Sequence, residues 1–419
     1  MSIADISAGS GTSHETAGPK EGAEPRSGSE ADDTAGYGVE VQDAAGPGYG
    51  VEVQDAAGPG YGVEVQDAAG PGYGVEVHDA AGPGYGVEVQ DAAECRPGAG
   101  SELPVRLELT GAERAAVRDL AEQLTRVAPG LIDAHAWVAE ARRLSCRLPL
   151  RLLERIRQYR SDPGPDGMLC LANLPVEDGL LPETPAVADS VERDATVPSA
   201  VAMLIGQQLG EVIAYRDEKY GALVQNVVPV PSLAASQSNG GSVPLEFHIE
   251  NAFHPHRPHY VGLLCLRSDH EGTAGTQICS VRRVLGLIDE ADRKILEAPR
   301  FVTEAPPSFR SAERTEAHPV LVGSPEDPDI RVDFNATVAL DEEAAGALVR
   351  LRETMTDASE SVVLRPGELV FVDNRLVLHG RTNFVPRYDG RDRWLHRIFV
   401  HLDNRLTRAH RAGNGPVLV

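Results

Sequence analysis

The chain has 419 residues, with 39 Lys and Arg against 63 Asp and Glu, which gives a formal net charge of −24 at pH 7. Nucleic acids and anionic membranes are bound through basic surfaces, so this charge balance argues against both kinds of partner. The first residues, MSIADISAGSGTSHE, lack the basic and apolar regions of a signal peptide, and no apolar run is long enough to span a bilayer. We therefore expect a soluble, cytoplasmic protein that acts on small molecules.

The amino-terminal quarter of the chain differs in composition from the rest. Residues 1–100 are dominated by Gly, Ala, Ser, Pro, Asp and Glu, with almost no Leu or Ile. Such a composition cannot bury enough apolar surface to offset the conformational entropy of the chain. We predict a disordered acidic tail over residues 1–100 and one folded domain over residues 101–419.

A twelve-residue sequence, YGVEVQDAAGPG, is repeated five times in tandem over residues 37–94. Each copy offers one Tyr and two Val against a Gly-Pro-Gly breaker, which is too little to build a supersecondary unit with its own core. A flexible acidic spacer is one interpretation. An array of weak binding sites that gain from multivalency, and a multi-copy peptide substrate fused to its own modifying enzyme, are the others.

Helical patterns begin after the tail. Thr110 and Glu113 have the T-x-x-E spacing of a capping box, and apolar residues follow at helical spacing, so we predict a helix from this point. Two further helices are predicted over residues 199–209 and residues 341–354.

Short runs of β-type residues account for most of the remaining pattern. They lack the regular alternation of a βαβ series, so the fold class is mainly β with flanking helices (α+β). We predict a double-stranded β-helix, or jelly-roll, core behind a helical amino-terminal part. The predicted strands cover residues 223–230, 245–250, 260–266, 330–334, 361–364, 368–373 and 397–401.

The cysteines predict neither a disulfide framework nor a zinc-thiolate site. They are odd in number, widely spaced and without a CxxC pair, so we expect small buried hydrophobic residues. The five are Cys95, Cys146, Cys170, Cys265 and Cys279.

A metal clamp is indicated in the segment LEFHIEN. His248 and Glu250 lie two apart in an apolar run, so on a strand they face the same side. A third ligand is available from His379 in FVDNRLVLHGRTNF. Two imidazoles and one carboxylate on one face leave open coordination positions, which is the arrangement of non-haem Fe(II) oxygenases.

The histidines that follow the clamp form a rival metal site. His254, His256 and His259 lie in NAFHPHRPHY, whose prolines favour an irregular loop. We expect these imidazoles to cap, stack or face solvent.

Two arginines near the carboxyl end have the spacing of a carboxylate-binding pair. Arg393 and Arg397 are four apart in DRWLHRIFV, so on a strand both face one side. Each guanidinium can bind a carboxylate in a bidentate fork. A dicarboxylate cosubstrate and an amino-acid substrate would use such a pair.

Residues 103–402 resemble the clavaminate synthase-like branch of the 2-oxoglutarate oxygenases, which includes bacterial arginine and asparagine β-hydroxylases. The resemblance lies in three stretches of this chain: AYRDEKYGALVQNVVPV, SNGGSVPLEFHIENAFHPHRPHYVGLLCLR and FVDNRLVLHGRTNFVPRYDGRDRWLHRIFVHLD. It implies a catalytic metal site in which His248, Glu250 and His379 bind iron. Most relatives have Asp where this chain has Glu250.

The same resemblance implies roles for residues around the metal. Arg393 and Thr276 match cosubstrate-binding residues, with the neighbouring Thr273 as an alternative to Thr276. Arg397 matches the arginine that binds the substrate's α-carboxylate. Gln225 falls where the amino end of the substrate is recognised, and Ser238 falls in a mobile lid.

The side-chain end of the substrate is less defined. Arginine hydroxylases of this branch place two acidic residues there, whereas RVDFNAT in this chain offers Asp333 and Asn335. A guanidinium is best matched by a charged bidentate partner, so arginine is not favoured over other polar amino acids.

The resemblance implies an oxygenase that uses Fe(II), 2-oxoglutarate and O₂ to hydroxylate an unactivated carbon of a free polar L-amino acid, with release of succinate and CO₂. Desaturation and ring closure are other outcomes of this chemistry. One alternative is a peptide-modifying oxygenase that acts on its own repeats, although Arg397 argues against it because a residue within a peptide has no free α-carboxylate. Another is a scaffolding protein whose functional part is the repeat array.

Overall fold

The computed structural model describes residues 105–306, 309–310 and 314–419, together with four strands within residues 40–79. The chain divides into two units, Met1–Ser101 and Glu102–Val419. In the first unit the strands pair in chain order as an antiparallel sheet. The predicted disorder of residues 1–100 otherwise lies outside the described residues and stays a prediction. The strands are β1 (Glu40–Gln42), β2 (Gly50–Val53), β3 (Tyr61–Asp67) and β4 (Tyr73–Asp79).

The second unit begins with a helical part, as predicted. The Thr110 side chain accepts a hydrogen bond from the Glu113 backbone N–H, and the Glu113 carboxylate accepts one from the Thr110 N–H at 2.7 Å, which confirms the capping box. Two amphipathic helices follow that the sequence patterns did not predict. The elements are β5 (Arg106–Glu108), α1 (Gly111–Thr125), α2 (His135–Ser145), α3 (Leu150–Ser161) and β6 (Met168–Ala172).

The remaining elements are mostly strands. Those up to the middle of the unit are β7 (Val191–Glu192), α4 (Val197–Leu209), β8 (Glu211–Tyr215), β9 (Val224–Val227), β10 (Leu245–His248), β11 (Tyr260–Arg267), β12 (Thr276–Ser280), α5 (Val281–Val284) and α6 (Glu290–Leu296). Those that follow are β13 (Phe301–Thr303), β14 (Leu321–Ser324), β15 (Asp327–Ile330), β16 (Thr337–Ala339), α7 (Glu342–Asp357), β17 (Glu360–Val362), β18 (Leu369–Asp373), β19 (Val377–Arg381), β20 (Trp394–His401) and β21 (Val417–Leu418).

Two sheets form the centre of the unit. The larger has the order β21-β8-β20-β11-β18-β6-β5, with β9 also beside β20 and β7 beside β9, and the smaller has the order β10-β19-β12-β17. Apolar side chains from both sheets, such as Val261 and Leu378, share one buried cluster. The predicted jelly roll is therefore present, with its core between the two sheets.

A second core lies on the other face of the larger sheet. There α4, which is buried on nearly every side, packs against helices α1, α2 and α3 and against β20. Side chains of β11 alternate between the two cores: Val261 and Leu263 belong to the core between the sheets, Tyr260 and Leu264 to the helical one. The full burial of β11 on both faces explains its continuous apolar sequence.

One predicted strand is present only in part. Residues 330–334 were expected to be a strand, but β15 ends at Ile330, and beyond it Asp333 forms an isolated antiparallel bridge with His248. The Asp333 carboxylate accepts hydrogen bonds from the backbone N–H groups of Asn335 (2.8 Å) and Ala336 (3.2 Å). These local bonds stabilise a turn that ends the pairing after this bridge. The other predicted strands and helices are present, with shifted ends.

The four described cysteines are unpaired, as predicted. Cys170, Cys265 and Cys279 are buried and Cys146 is exposed, while Cys95 lies outside the described residues. Among the described helices, none has the length and apolar character required to cross a membrane.

Deletion of residues 1–100 is expected to leave the second unit folded, because the two buried clusters are built from residues beyond this stretch. We predict that calorimetry of the truncated chain shows one cooperative transition within about 4 °C of the full-length midpoint, which corresponds to roughly 1 kcal/mol for a domain of this size. Loss of the cooperative transition would show that the tail stabilises the fold.

Candidate active site

The three predicted metal ligands converge at one edge of the smaller sheet. Strands β10 and β19 pair antiparallel, with His248 directly opposite His379, and Glu250 follows just beyond the end of β10. The two imidazole centroids are 4.6 Å apart, and His379 Nε2 lies 3.6 Å from Glu250 Oε1. All three candidate ligand atoms lie within 4.8 Å of one another, which is close enough to bind one ion.

The protonation of these side chains suits a divalent metal. His248 Nδ1 lies 2.8 Å from the Glu246 carbonyl oxygen, which can only accept, so Nδ1 carries the hydrogen and Nε2 keeps its lone pair. Burial and the neighbouring His248 lower the pKa of His379. Although burial opposes ionisation of Glu250, Arg397 and then His379 hold the pKa of its carboxyl well below the usual range. The lowered pKa of His379 and the lowered pKa of the Glu250 carboxyl fit Fe(II), because metal ligands must be deprotonated.

A cavity of about 410 Å³ lies beside the triad and is lined by three buried arginines, Arg381, Arg393 and Arg397. Arg393 is only 6% exposed and has no carboxylate partner among the described residues. Burial lowers the pKa of Arg393, and burial followed by repulsion from Arg393 lowers the pKa of Arg381 to about 9. Thr276 also lines this cavity. Buried charges are normally paired, so the cavity suits an anion that supplies the missing carboxylate.

A second cavity, of about 630 Å³, shares His248, Glu250 and Arg397 with the first. Arg397 is 2% exposed and donates from Nη1 to Glu250 Oε1 at 2.7 Å, and it also contacts the Glu218 carboxylate. Its Nε donates to Gln225 Oε1 at 3.1 Å. This arginine therefore has its counter-charges inside the protein, unlike Arg393.

Asn239 completes the contacts of Arg397. Because a guanidinium can only donate, the Asn239 amide is oriented with its oxygen toward Arg397, 2.9 Å from Nη1 and 3.2 Å from Nη2. Asn239 lines both cavities, so it lies between the two regions of the site.

The other predicted site residues lie in different parts of the site. Ser238, Asp333 and Asn335 line the larger cavity. Gln225 lines neither cavity and instead contacts Arg397. Thr273 bonds to Asp269 through its hydroxyl group and its backbone N–H. Among the two candidate threonines, the geometry therefore favours Thr276 as a cavity residue.

The rival histidines do not join the triad. The His254 ring packs edge-on against Tyr215, with centroids 4.8 Å apart. His256 lies beside His410, and His259 lies edge-on to His401. Two groups of described side chains could bind a metal: His248, Glu250 and His379, and His270, Asp389 and Asp392. His254, His256 and His259 belong to neither, and their imidazoles pack against other rings as expected.

Comparison with known proteins agrees with this geometry. Residues 190–399 match the family model described as taurine catabolism dioxygenase TauD, TfdA family. L-asparagine oxygenase of Streptomyces coelicolor is 46% identical over 322 residues, which cover 77% of this chain and 96% of that protein. The chain belongs to the TauD, TfdA family of dioxygenases. Clavaminate synthase 2 of Streptomyces clavuligerus is 34% identical over 67% of this chain and 89% of that protein, which confirms the predicted branch.

A solved relative indicates what this oxygenase requires. The crystal structure of asparagine oxygenase in complex with Fe(II), 2S,3S-3-hydroxyasparagine and succinate superimposes with a TM-score of 0.74 and 45% identity, covering 75% of this chain and 99% of that chain. This chain is accordingly an iron(II)- and 2-oxoglutarate-dependent oxygenase. When bound, the metal and cosubstrate supply the activation of O₂, and succinate and CO₂ are released.

The sequence patterns did not identify three residues of the site, namely Arg381, Glu218 and Asn239. Arg381 lies two residues beyond His379 in the same strand, so strand alternation alone could have placed it on the ligand face. Glu218 lies in a stretch that carries the family resemblance, but its neighbour Asp217 is an equally good candidate by composition. Asn239 follows the predicted Ser238, and no spacing rule distinguishes it from the other polar residues of that segment.

Replacement of His379 by Ala is expected to abolish metal binding. Loss of a residue that merely supports a ligand costs about 10- to 100-fold in metal affinity, so loss of a ligand should exceed about 100-fold. Fe(II) binding measured anaerobically by calorimetry tests this, with His254→Ala as the control that keeps affinity. Equal affinities of the two variants would remove His379 from the ligand set.

Replacement of Arg393 by Ala is expected to raise the KM for 2-oxoglutarate. A hydrogen bond to a charged group contributes about 1.5–3 kcal/mol, so we predict an increase of about 10- to 150-fold. Arg391→Ala is the matched control, because this guanidinium is 57% exposed and pairs with Asp178 on the surface. Succinate release at varied cosubstrate concentration measures both. A normal KM in Arg393→Ala contradicts the assignment.

Proposed function

We propose that this oxygenase hydroxylates a free polar L-amino acid with a carboxamide side chain, of the asparagine type, in the cytoplasm. The observation that carries the proposal is the buried contact between Arg397 and Glu218 in the larger cavity, beside Glu250. A free amino acid has one group for each of these side chains: its α-carboxylate matches Arg397 and its α-ammonium matches Glu218.

The electrostatics of this pair favour a zwitterion over a simple anion or cation. Arg397 and Glu218 are 2% and 4% exposed, so neither is compensated by water. Burial raises the pKa of Glu218, which shows that its ionised form lacks sufficient stabilisation. A zwitterion that inserts between them replaces one buried ion pair by two, and the net charge of the cavity is unchanged. A substrate with only one of the two charges leaves a buried partner unpaired.

The side-chain end of the cavity favours a carboxamide. Asp333 uses one carboxylate oxygen to stabilise its own turn. The Asn335 side chain lines the cavity and makes no hydrogen bond to other described residues. An amide can both donate and accept, so it matches another amide well, whereas a guanidinium is best matched by a carboxylate with both oxygens free to accept. The 46% identity to an L-asparagine oxygenase supports the same class.

The remaining residues have supporting roles in the proposal. His248, Glu250 and His379 bind the iron, and Arg393 and Thr276 bind the distal carboxylate of 2-oxoglutarate in the smaller cavity. The segment that contains Ser238 covers the amino acid and excludes water from the reacting carbon. The substrate's charged groups fix which carbon faces the metal, so positioning decides the site of oxidation.

Glu218→Gln tests the proposed recognition. Purified enzyme is offered a panel of free amino acids, with succinate release measured for each, and we expect L-asparagine to give the highest rate. In Glu218→Gln the KM for the amino acid should rise at least about tenfold, because a charged hydrogen bond is lost, while the KM for 2-oxoglutarate stays unchanged. Asp217→Asn, one residue away, is the matched control.

The same assay distinguishes the alternatives. An N-acetylated asparagine amide has neither terminal charge and should give no turnover; equal turnover would overturn recognition of the free amino acid. Product mass separates hydroxylation, which adds one oxygen, from desaturation, which removes two hydrogens. A gain of oxygen on the intact protein, confined to residues 37–94, would instead identify the repeats as the substrate.

A further inference from the structure

A third cavity lies behind the active site, on the opposite face of β20. Successive side chains of a strand point to opposite faces. Arg393 and Arg397 therefore face the iron site, whereas Trp394 and His396 line a separate cavity of about 750 Å³. Its other walls come from residues 175–182, α1 and the start of α4. This volume includes solvent at the open mouth, so the enclosed part has room only for a small organic ligand.

His396 provides the polar anchor of this cavity. It is 1% exposed, and neither ring nitrogen has a hydrogen-bond partner among the described residues. Glu192 Oε1 lies 3.6 Å from His396 Nε2, within ion-pair distance but too far for a good hydrogen bond, and it accepts a hydrogen bond from the Asn226 side chain at 2.9 Å. Buried polar atoms are normally hydrogen-bonded. A fully buried imidazole that faces a cavity therefore points to a ligand that completes its bonds.

The walls determine which ligand fits. Apolar side chains dominate the lining, among them Leu181, Leu266 and Trp394. The charged lining groups are three glutamates and one arginine. Glu177 pairs with Arg118 and Glu122 pairs with Arg126, so Glu192 is the lining carboxylate for which no arginine partner is found among the described residues. A carboxylate beside an indole ring favours a cation over an anion.

We propose that this cavity binds a small organic amine with an apolar body about the size of one aromatic ring. Its ammonium group donates to Glu192 and His396, and its apolar body packs on Trp394. The inference does not rest on the proposed function, because the cavity contains no residue of the iron site.

Trp394 makes the proposal directly measurable. The chain has two tryptophans, and the other, Trp137, is fully buried in the helical core. We expect 2-phenylethylamine to change the fluorescence of the full-length protein saturably, and this change should disappear in Trp394→Phe while Trp137 still emits. Calorimetric titration of the unmodified protein provides a second measure that does not depend on any substitution.

Three probes that share a phenylethyl group test the charge preference: 2-phenylethylamine, 2-phenylethanol and 3-phenylpropionate. We expect the amine to bind most tightly and the acid most weakly. Glu192→Gln should weaken binding of the amine by at least about tenfold and leave the affinity for the alcohol nearly unchanged. Only the amine loses a charged hydrogen bond in this variant. Equal or tighter binding of the acid overturns the proposal.

Substitution at the cavity mouth locates the binding. Leu180 is 78% exposed and lines this cavity, whereas Leu406 is 72% exposed and does not. Leu180→Arg should repel the amine and abolish its fluorescence change, and Leu406→Arg should have no effect. Unchanged binding in Leu180→Arg, or no binding of the amine to the unmodified protein, would falsify the proposed site.

Discussion

The antiparallel pairing of β10 with β19 is the constraint on which the metal site depends. It places His248 opposite His379, and it requires the strands to approach closely at the next residue. A Cβ atom on Gly380 would lie 2.6 Å from the Leu245 carbonyl oxygen, closer than packed atoms come, so glycine is needed there. On its other side His248 forms a bridge with Asp333, so the strand that carries the first ligand is fixed from both sides.

Arg397 in β20 and Arg393, which directly precedes this strand, are two buried cations in different environments. Arg397 is surrounded by Glu250, Glu218 and Gln225, so the protein itself offsets the cost of burying it. Arg393 has no such partner among the described residues, and Arg381 lies beside it. An anion in the smaller cavity would offset the desolvation of Arg393. A ligand that binds only the folded state also stabilises it, so the proposed binding of 2-oxoglutarate at Arg393 would couple cosubstrate binding to stability.

The sequence predicted best those structural features that require a particular type of residue at a given position. The capping box at Thr110 follows from spacing, the jelly-roll class follows from the series of short strands, and the structure contains both. Spacing also indicated a metal site at His248, Glu250 and His379, and the structure brings these three side chains together. The failures are physical in origin. The predicted strand over residues 330–334 is reduced to one bridge at Asp333, because the turn that follows depends on side-chain hydrogen bonds that alternation does not reveal. Helices α2 and α3 were missed, and Glu218 could not be separated from Asp217 without knowing which side chain is buried.

The residues proposed for the reaction and those proposed to contact the substrate come from different parts of the fold. The metal ligands and Arg393 lie in or next to paired strands, whereas Ser238, Asn239 and Asn335 come from connecting segments. The two groups meet at Arg397, whose Nη1 is 2.7 Å from Glu250 Oε1. In the proposed function, a substrate carboxylate that binds this guanidinium would change the hydrogen bonding of Glu250. Substrate recognition would then reach the proposed metal site through a single side chain.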